Sequence, residues 1–196
     1  MNNVILITGY ARAGKDTLAD GIALAARGPV AHLNFADVLK QACDSYMQSL
    51  GIGGSGATNT FRNESFKVRH RQFLVAAGVF ARSIDQDVFA LAFTRQCQLI
   101  ARCNNSIGIG TTIVCSDWRY MNEIEVVSRS LGELDNWFVR RVIVRTSGVE
   151  AANEEEGKSI GQLIRNLQFD HDYTFLPESR QRILNEGKDL ARELGL

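Results

Sequence analysis

The chain lacks an excess of charge of either sign, because 22 lysines and arginines stand against 22 aspartates and glutamates. Proteins that coat nucleic acids are as a rule strongly basic, since they neutralise phosphates. The neutral balance argues against that class, although it leaves open a local basic patch. We therefore expect no nucleic-acid partner.

Long apolar runs are also missing, since none approaches the roughly 20 residues that a membrane-spanning helix needs. Asn2 and Asn3 lead directly into an apolar strand, which is not the pattern of a secretory leader. These two observations predict a protein with no membrane partner and a cytoplasmic location.

The chain has four cysteines, and they lack the short paired spacing that is typical of metal sites. In a cytoplasmic protein we expect reduced thiols, most of them buried. A metal or redox pair formed by Cys97 and Cys103 is the less favoured alternative. The four positions are Cys43, Cys97, Cys103 and Cys115.

A motif near the start of the chain is the most informative feature. An apolar strand, Val4–Thr8, is followed by Gly9-x4-Gly14-Lys15 and then by a helix-forming run, Thr17–Arg27. This order is typical of a P-loop, in which glycines let backbone N–H groups point at phosphate oxygens and the lysine adds a mobile cation. The positive end of the following helix acts on the same site. The motif predicts binding of a nucleotide or polyphosphate, and a purely structural strand–turn–helix is the alternative.

One position departs from the usual P-loop pattern. The residue after Lys15 is normally Ser or Thr, whose hydroxyl reaches Mg²⁺, but here it is Asp16, followed by Thr17. A carboxylate beside phosphates is repelled unless a metal or a water bridges them. Either Asp16 holds Mg²⁺ through water, or Asp16 caps the helix and Thr17 contacts the metal. The sequence leaves both open.

With 196 residues, of which 45% are hydrophobic, and with no visible repeat, the chain is predicted to form a single domain, 1–196. Its hydrophobic periodicity predicts an α/β fold. Strands alternate with helical runs, which favours a mostly parallel sheet of about five strands with helices on both faces. The predicted strands are Val4–Thr8, Val30–Phe35, Thr111–Cys115, Phe138–Arg145 and Tyr173–Leu176. The predicted helices are Thr17–Arg27, Asp37–Leu50, Glu64–Arg82, Asp87–Arg102, Asn122–Leu131 and Glu178–Leu194. The predicted irregular segments are a connector at Gly51–Thr60, a turn at Asn104–Gly110 and a loop or lid at Thr146–Lys158.

Polar residues follow the carboxyl ends of these strands, where ligands bind in open parallel sheets. Asp117 comes after the third strand and resembles the acidic end of a Walker B strand, which can hold a water of Mg²⁺. The alternative is that Asp117 caps the helix that begins near Tyr120. Arg119 offers a planar fork to phosphate, and Glu123 four residues later either orients it or forms a plain surface ion pair.

Other charged and aromatic residues are weaker candidates. Lys67 and Arg71 are four residues apart, so on one helix they share a face that can clamp a monophosphate, although a solvated face is as good an explanation. Phe89, or Phe93 one turn later, is a candidate for stacking on a base, with core packing as the alternative. The acidic run Glu154–Glu156 is predicted to be solvated. The basic cluster comprises Arg62, Lys67, Arg69, His70 and Arg71.

Several of these segments together resemble a known family, the phage deoxynucleoside monophosphate kinases of the P-loop kinase superfamily. Arg12 falls where the family has a loop arginine, Phe89 falls where the family can carry Trp, and Val75 stands where the family has Gln. Before its last helix the family usually has an Asn-Asp/Gly pair, where this chain has Phe175–Ser179. The matching segments are Gly9–Asp20, including its Lys-Asp-Thr, and Phe35–Lys40, Arg71–Gly78, Ser116–Glu123 and Arg145–Gly148.

The resemblance implies transfer of the γ-phosphoryl group of ATP to a (deoxy)nucleoside monophosphate, with Mg²⁺, in nucleotide metabolism for DNA synthesis. It also implies a homodimer, a host-cytoplasm location if a phage encodes the chain, acceptor-binding helices at about 36–102 and a lid-like loop at about 146–165. The implied catalytic residues are Lys15, Arg12, Asp117 and Arg119. The implied ATP-binding residues are Gly9, Ala11, Ala13, Gly14, Lys15, Asp16, Thr17 and Arg145, with Asp16 and Thr17 as metal candidates. The implied acceptor-binding residues are Phe35, Lys40, Arg71, Phe89, Asp117, Arg119 and Glu123.

Two other functions fit the same motifs. Another small-molecule P-loop kinase, of the dephospho-coenzyme A or phosphomevalonate type, shares the loop and the acids at the strand ends. A nucleotide-dependent ATPase or switch protein shares the loop. The many arginines near the predicted site favour an anionic acceptor over a switch.

Overall fold

The computed structural model describes residues 1–52, 60–106, 108–134 and 136–196, and it confirms the predicted α/β class. The five strands are β1 (Asn2–Thr8), β2 (Val30–His32), β3 (Thr112–Cys115), β4 (Trp137–Thr146) and β5 (His171–Phe175). The helices are α1 (Lys15–Ala25), α2 (Phe35–Ser49), α3 (Glu64–Arg69), α4 (Arg71–Ile84), α5 (Val88–Asn105), α6 (Met121–Gly132), α7 (Glu154–Asn166) and α8 (Arg180–Glu193).

All five strands are parallel, in the order β2-β3-β1-β4-β5. β1 is central and pairs with both β3 and β4, so that Val4 is in register with Ile113 on one side and Val139 on the other. The chain leaves β1 toward one edge of the sheet and later returns to build the other edge. Ligands bind at such a reversal, beyond the carboxyl ends of the strands. The loop that follows β1 lies at this point.

Helices cover both faces of the sheet. Because side chains alternate along a strand, Ile5 and Ile7 point to one face and Val4 and Leu6 to the other, and all four are fully buried. The first face packs on α1 and α8, and the second packs on α2, α5, α6 and α7. Burial on both faces explains why β1 is an unbroken apolar run.

The predicted second strand is too long. It ends at His32, and α2 begins at Phe35, because the carboxylate of Asp37 accepts a hydrogen bond from Asn34 N (3.0 Å). This contact satisfies one of the backbone donors that a helix start leaves unpaired.

The predicted helix Glu64–Arg82 is two helices, which meet at His70 with φ −111° and ψ 21°. Lys67 and Arg71 therefore do not share a face of one helix, and Lys67 instead forms an ion pair with Glu64. The His70 ring packs on Phe66, with 4.4 Å between ring centroids. The prediction that Lys67 and Arg71 share a face of one continuous helix is therefore wrong, and the contact of Arg71 with an acceptor stays a prediction.

The predicted loop Thr146–Lys158 is also wrong in part, because α7 begins at Glu154 and takes in the end of that segment. The same helix occupies 154–165 of the segment 146–165, whose role as a lid stays a prediction. Asn153 caps α7 by accepting a hydrogen bond from Glu156 N (2.9 Å), and Ile160 and Leu163 are buried in the core. The sequence interpretation took the acidic run for a loop and overlooked a helix-capping pattern, Asn-x-x-Glu, which is followed by apolar residues at helical spacing. Of the predicted connector Gly51–Thr60, residues 53–59 lie outside the described residues.

Two further observations bear on the sequence predictions. Within the described ranges, no helix combines the length and the apolar character that a bilayer requires. Cys43, Cys97 and Cys115 are buried, Cys103 is exposed, and all four are free thiols.

Candidate active site

The loop after β1 adopts a tight conformation against β4. Gly9 has φ 138°, and a Cβ at this position would lie 2.1 Å from the carbonyl oxygen of Val144, so only glycine fits here. The hydroxyl of Thr146 donates to Ala13 O (3.0 Å) and fixes the loop to the end of β4. Arg12, with φ 67°, has a left-handed backbone and an exposed side chain at the tip of the loop.

Lys15 folds back over this loop. Its Nζ donates to Gly9 O and Tyr10 O, both at 2.8 Å. Burial lowers the pKa of the Lys15 ammonium, and the nearby Arg119 guanidinium lowers it further. Three carboxylates act in the opposite direction: Asp16, Glu156 and Asp117. The ammonium is therefore held inside the loop among charges of both signs.

α1 begins directly at Lys15. Its N-cap is Gly14 (φ 96°), which provides no side chain to accept hydrogen bonds from the first turn. The N–H groups of that turn and the positive end of the helix dipole therefore face the loop. With the Lys15 ammonium, they form a cradle suited to phosphate.

Oxygen donors lie beside this cradle. The hydroxyl of Ser116, at the end of β3, donates to the exposed carboxylate of Asp16 (2.6 Å). Asp16 therefore does not cap α1, which was one of the two alternatives for this residue. The carboxylate of Asp16 and the hydroxyl of Ser116 are hard oxygen donors of the kind that Mg²⁺ prefers, and Thr17 is the next residue of α1, so the donor chemistry fits that ion.

Asp117 caps a different helix from the one that the sequence suggested. Its two carboxylate oxygens accept hydrogen bonds from Phe35 N (2.9 Å) and Ala36 N (3.0 Å), at the start of α2. The thiol of Cys115 also donates to it (3.2 Å). Burial raises the pKa of Asp117, and these hydrogen bonds oppose the rise. Asp117 thus fixes the start of α2 at the carboxyl end of β3.

Glu123 does not orient the Arg119 side chain, as one sequence interpretation had it. Its Oε2 accepts hydrogen bonds from the backbone N–H groups of Arg119 (2.9 Å) and Tyr120 (3.0 Å). The residue therefore shapes the loop between β3 and α6 as part of a capping box. Glu123 is 3% exposed, and burial raises its pKa to about 7.

The raised pKa makes a prediction about stability. The folded protein holds the Glu123 proton more tightly than the unfolded chain, so the protonated side chain adds to the free energy of unfolding. This addition is complete below pH 4.5 and is lost as the pH rises through about 7. The Glu123→Gln side chain can still accept both N–H bonds but cannot ionise. We expect the free energy of unfolding, measured with urea, to fall between pH 5 and pH 8 by about 2 kcal/mol less in the variant than in the wild type.

Glu125→Gln is the matched control, because Glu125 is exposed on the same helix. It should retain the pH dependence of the wild type. Equal pH dependence in the wild type and Glu123→Gln would contradict the prediction.

The acidic run Glu154–Glu156 is not solvated throughout, since the side chain of Glu156 is only 1% exposed. Glu156 Oε1 accepts a hydrogen bond from Ala11 N in the loop (3.2 Å) and lies 3.5 Å from the Arg119 guanidinium. The sequence prediction missed this residue. Its only local signal is its place three residues after the cap Asn153, and that place does not indicate a contact with the loop.

Arg82 is a second residue that the sequence interpretation missed. Its guanidinium carbon lies 4.8 Å from the ring centroids of both Phe89 and Tyr120, so it sits between two aromatic rings. Phe89 is 6% exposed. The structure thus brings a cation to the ring of Tyr120, the residue that follows Arg119 in the loop after β3. No local pattern in the sequence sets Arg82 apart from the other arginines of the chain.

The remaining predicted acceptor residues differ in how open they are to a ligand. Phe35 is 2% exposed, and its ring packs on Phe93 with 4.4 Å between centroids. Lys40 forms an ion pair with Asp37 (2.8 Å). Arg71 is exposed at the start of α4, about 16 Å along the helix from Arg82.

Arg145 lies against the neighbouring strand. Its guanidinium forms an ion pair with Asp172 of β5 (3.1 Å), while its Nε is buried and has no partner among the described residues. The residue follows Val144, which contacts the loop, so it borders the cradle from the β4 side. Its predicted contact with ATP stays a prediction.

The sequence matches no protein-family model, and no curated protein is significantly similar to it. Two kinases are among the solved structures that the chain matches. An unliganded sugar kinase from Janibacter sp. HTCC2649 is 14% identical over 94% of this chain and 90% of its own, with a TM-score of 0.45. A gluconokinase from Sinorhizobium meliloti 1021 is 12% identical over 98% of this chain and 93% of its own, with a TM-score of 0.42. Neither likeness identifies a family or a substrate for this chain.

Proposed function

We propose that the protein transfers the γ-phosphoryl group of ATP to a nucleoside or deoxynucleoside monophosphate. One observation carries the proposal: two cations meet at the loop after β1. Lys15 Nζ donates to Gly9 O and Tyr10 O (both 2.8 Å), and the Arg119 guanidinium lies 3.5 Å from the Glu156 oxygen that accepts a hydrogen bond from Ala11 N of the same loop. Phosphoryl transfer needs positioned cations around the moving charge and little covalent help from the protein.

On the donor side, the loop and α1 hold the phosphates of ATP. Binding of the β- and γ-phosphates draws Lys15 Nζ from the carbonyl oxygens of Gly9 and Tyr10, which it contacts at 2.8 Å, to phosphate oxygens. This change of partners costs little free energy, because the Lys15 ammonium replaces its hydrogen bonds to carbonyl oxygens with hydrogen bonds to phosphate oxygens. Asp16, Thr17 and Ser116 would hold Mg²⁺, which when bound withdraws charge from the phosphate oxygens.

On the acceptor side, Arg119 lies in the loop after β3 and Arg82 packs on Tyr120 of that loop, so both can offer planar donors to the acceptor phosphate. An oxygen of that phosphate attacks the γ-phosphorus, the bond from the γ-phosphorus to the bridging oxygen breaks, and ADP leaves. The attacking oxygen is already ionised at neutral pH, so the step needs no general base. The proposal therefore assigns the arginines to charge and position rather than to proton transfer.

The test is a coupled assay of ADP formation from Mg-ATP with each common nucleoside and deoxynucleoside monophosphate offered singly. We expect ADP to form only with particular monophosphates, which identifies the base and the sugar together. ADP formation at one rate whatever the acceptor would replace the proposal with an ATPase or switch. Dephospho-coenzyme A and phosphomevalonate are offered in the same assay, and turnover with one of these alone would move the acceptor to another class.

A further inference from the structure

We infer that Glu156 is a positioning residue, which holds the Arg119 guanidinium at the mouth of the phosphate-binding loop for phosphoryl transfer. The inference rests on the proposed function and adds to it a residue that touches neither substrate in that mechanism. It places part of the catalytic arrangement on α7, the helix between β4 and β5.

The Glu156 carboxylate joins three separate segments of the chain. Oε2 accepts a hydrogen bond from Ala152 N (2.7 Å), in the turn before α7. Oε1 accepts one from Ala11 N in the loop after β1 (3.2 Å) and lies 3.5 Å from Arg119 Nη2 in the loop after β3. The carboxylate therefore fixes the distance between the phosphate loop and the arginine.

Charge explains why a carboxylate is needed at this point. Lys15 and Arg119 are close enough for the guanidinium to lower the Lys15 pKa, so the two cations repel each other. Glu156 acts on Lys15 in the opposite direction and pairs with Arg119. A buried carboxylate is stable only when it is paired, and here its partners are the two sides of the site.

The pairing leaves the arginine available to a ligand. The Arg119 side chain is 42% exposed, whereas that of Glu156 is 1% exposed. A guanidinium has five N–H donors in a rigid fork, and Glu156 approaches one of its nitrogens. A neighbouring contact fixes the same loop, since the hydroxyl of Tyr120 donates to Glu155 (2.5 Å).

A different role for the same contact makes an opposite prediction. If Glu156 occupied Ala11 N as a stand-in for phosphate, it would compete with ATP, and its removal would tighten ATP binding. If Glu156 positions Arg119, its removal slows the transfer step and leaves ATP binding nearly unchanged, since the loop and Lys15 remain.

The experiment compares kcat and KM in the coupled assay for wild type, Glu156→Gln, Arg119→Ala and the double variant. We expect Glu156→Gln to lower kcat by about tenfold to a hundredfold, the size of effect that follows from a misplaced catalytic group, with KM for ATP within about twofold. In the Arg119→Ala background the same substitution should change kcat little, because the two residues act as a unit. Glu154→Gln is the matched control, since Glu154 is exposed two residues earlier in the same helix and, among the residues that the structure describes, its ion pair is with Lys158.

Several results would overturn the inference. These are a wild-type kcat in Glu156→Gln, an equal loss in the Arg119→Ala background, or tighter ATP binding with unchanged kcat. If Glu156→Gln does not fold, as judged by circular dichroism and thermal melting, the same kinetic comparison is made with Glu156→Asp. The shorter side chain keeps the negative charge but moves the carboxylate away from Arg119. A wild-type protein with no monophosphate-dependent turnover would refute the proposed function itself, which is a separate result from an active wild type with an unaffected variant.

Discussion

Replacement of Lys15 by alanine is expected to abolish phosphoryl transfer while the fold stays intact. The Lys15 ammonium is the cation that the structure places inside the loop, where its contacts are two backbone carbonyl oxygens, Gly9 O and Tyr10 O. Those oxygens can bind water once the side chain is removed. The developing charge on the transferred group loses its main partner in the loop, so we expect kcat to fall by about a hundredfold or more.

The measurement is ADP formation with the best monophosphate acceptor, together with Mg-ATP binding by calorimetry and a thermal melt. Lys158→Ala is the control, because Lys158 is an exposed lysine, 74% by side chain, that pairs only with Glu154. It should behave like the wild type in all three measurements. Near-normal kinetics in Lys15→Ala would refute the assignment of the loop to the phosphates of ATP.

Replacement of Gly187 by alanine is expected to destabilise the protein by about 2 kcal/mol or more, although alanine is the better helix former. α1 and α8 cross at two glycines, Gly21 and Gly187. A Cβ on Gly187 would lie 2.3 Å from the carbonyl oxygen of Leu18 and 3.0 Å from the Cα of Gly21. Both contacts are with backbone, so the helices must separate to admit the methyl group.

Gly161→Ala is the matched comparison, because Gly161 also lies within a helix but its added Cβ would meet only the flexible side chain of Arg165, at 3.4 Å. There we expect a gain of about 0.5 to 1 kcal/mol from helix propensity. Urea unfolding of both variants checks the pair. A gain in the free energy of unfolding for both variants would show that helix propensity, rather than the close crossing of α1 and α8, governs the Gly187 position.

Some features of the protein could be predicted because their signals are local. The apolar run of β1, the glycines of the loop and the start of α1 are contiguous in sequence, and each imposes its conformation on the next. The alternation of strands and helices was enough to predict the parallel sheet. The position of Asp117 and Arg119 at the same edge of the sheet as the loop after β1 could be predicted, because all parallel strands end at one edge.

Local signals failed where several structures fit the same pattern. Glu64–Arg82 is helical on both sides of His70, so nothing in its periodicity marks the break between α3 and α4. The acidic start of α7 is typical of both a solvated loop and a helix N-terminus, since carboxylates stabilise the positive end of a helix. In the sequence, Arg82 cannot be distinguished from the exposed arginines, because its contact with Tyr120 depends on how α4 packs in the tertiary structure.

By itself, the sequence determined the strand–loop–helix that can cradle phosphate and the class of fold that carries it, because those depend on residues next to each other in the chain. Only the tertiary structure decided which charges meet at that cradle. Glu156 and Ala11 are 145 residues apart, and Asp117 and Phe35 are 82 apart. Such partners are selected by the packing of α2 and α7 against the ends of the strands. The burial of Glu156 beside two cations follows from that packing, and no short pattern in the chain encodes it.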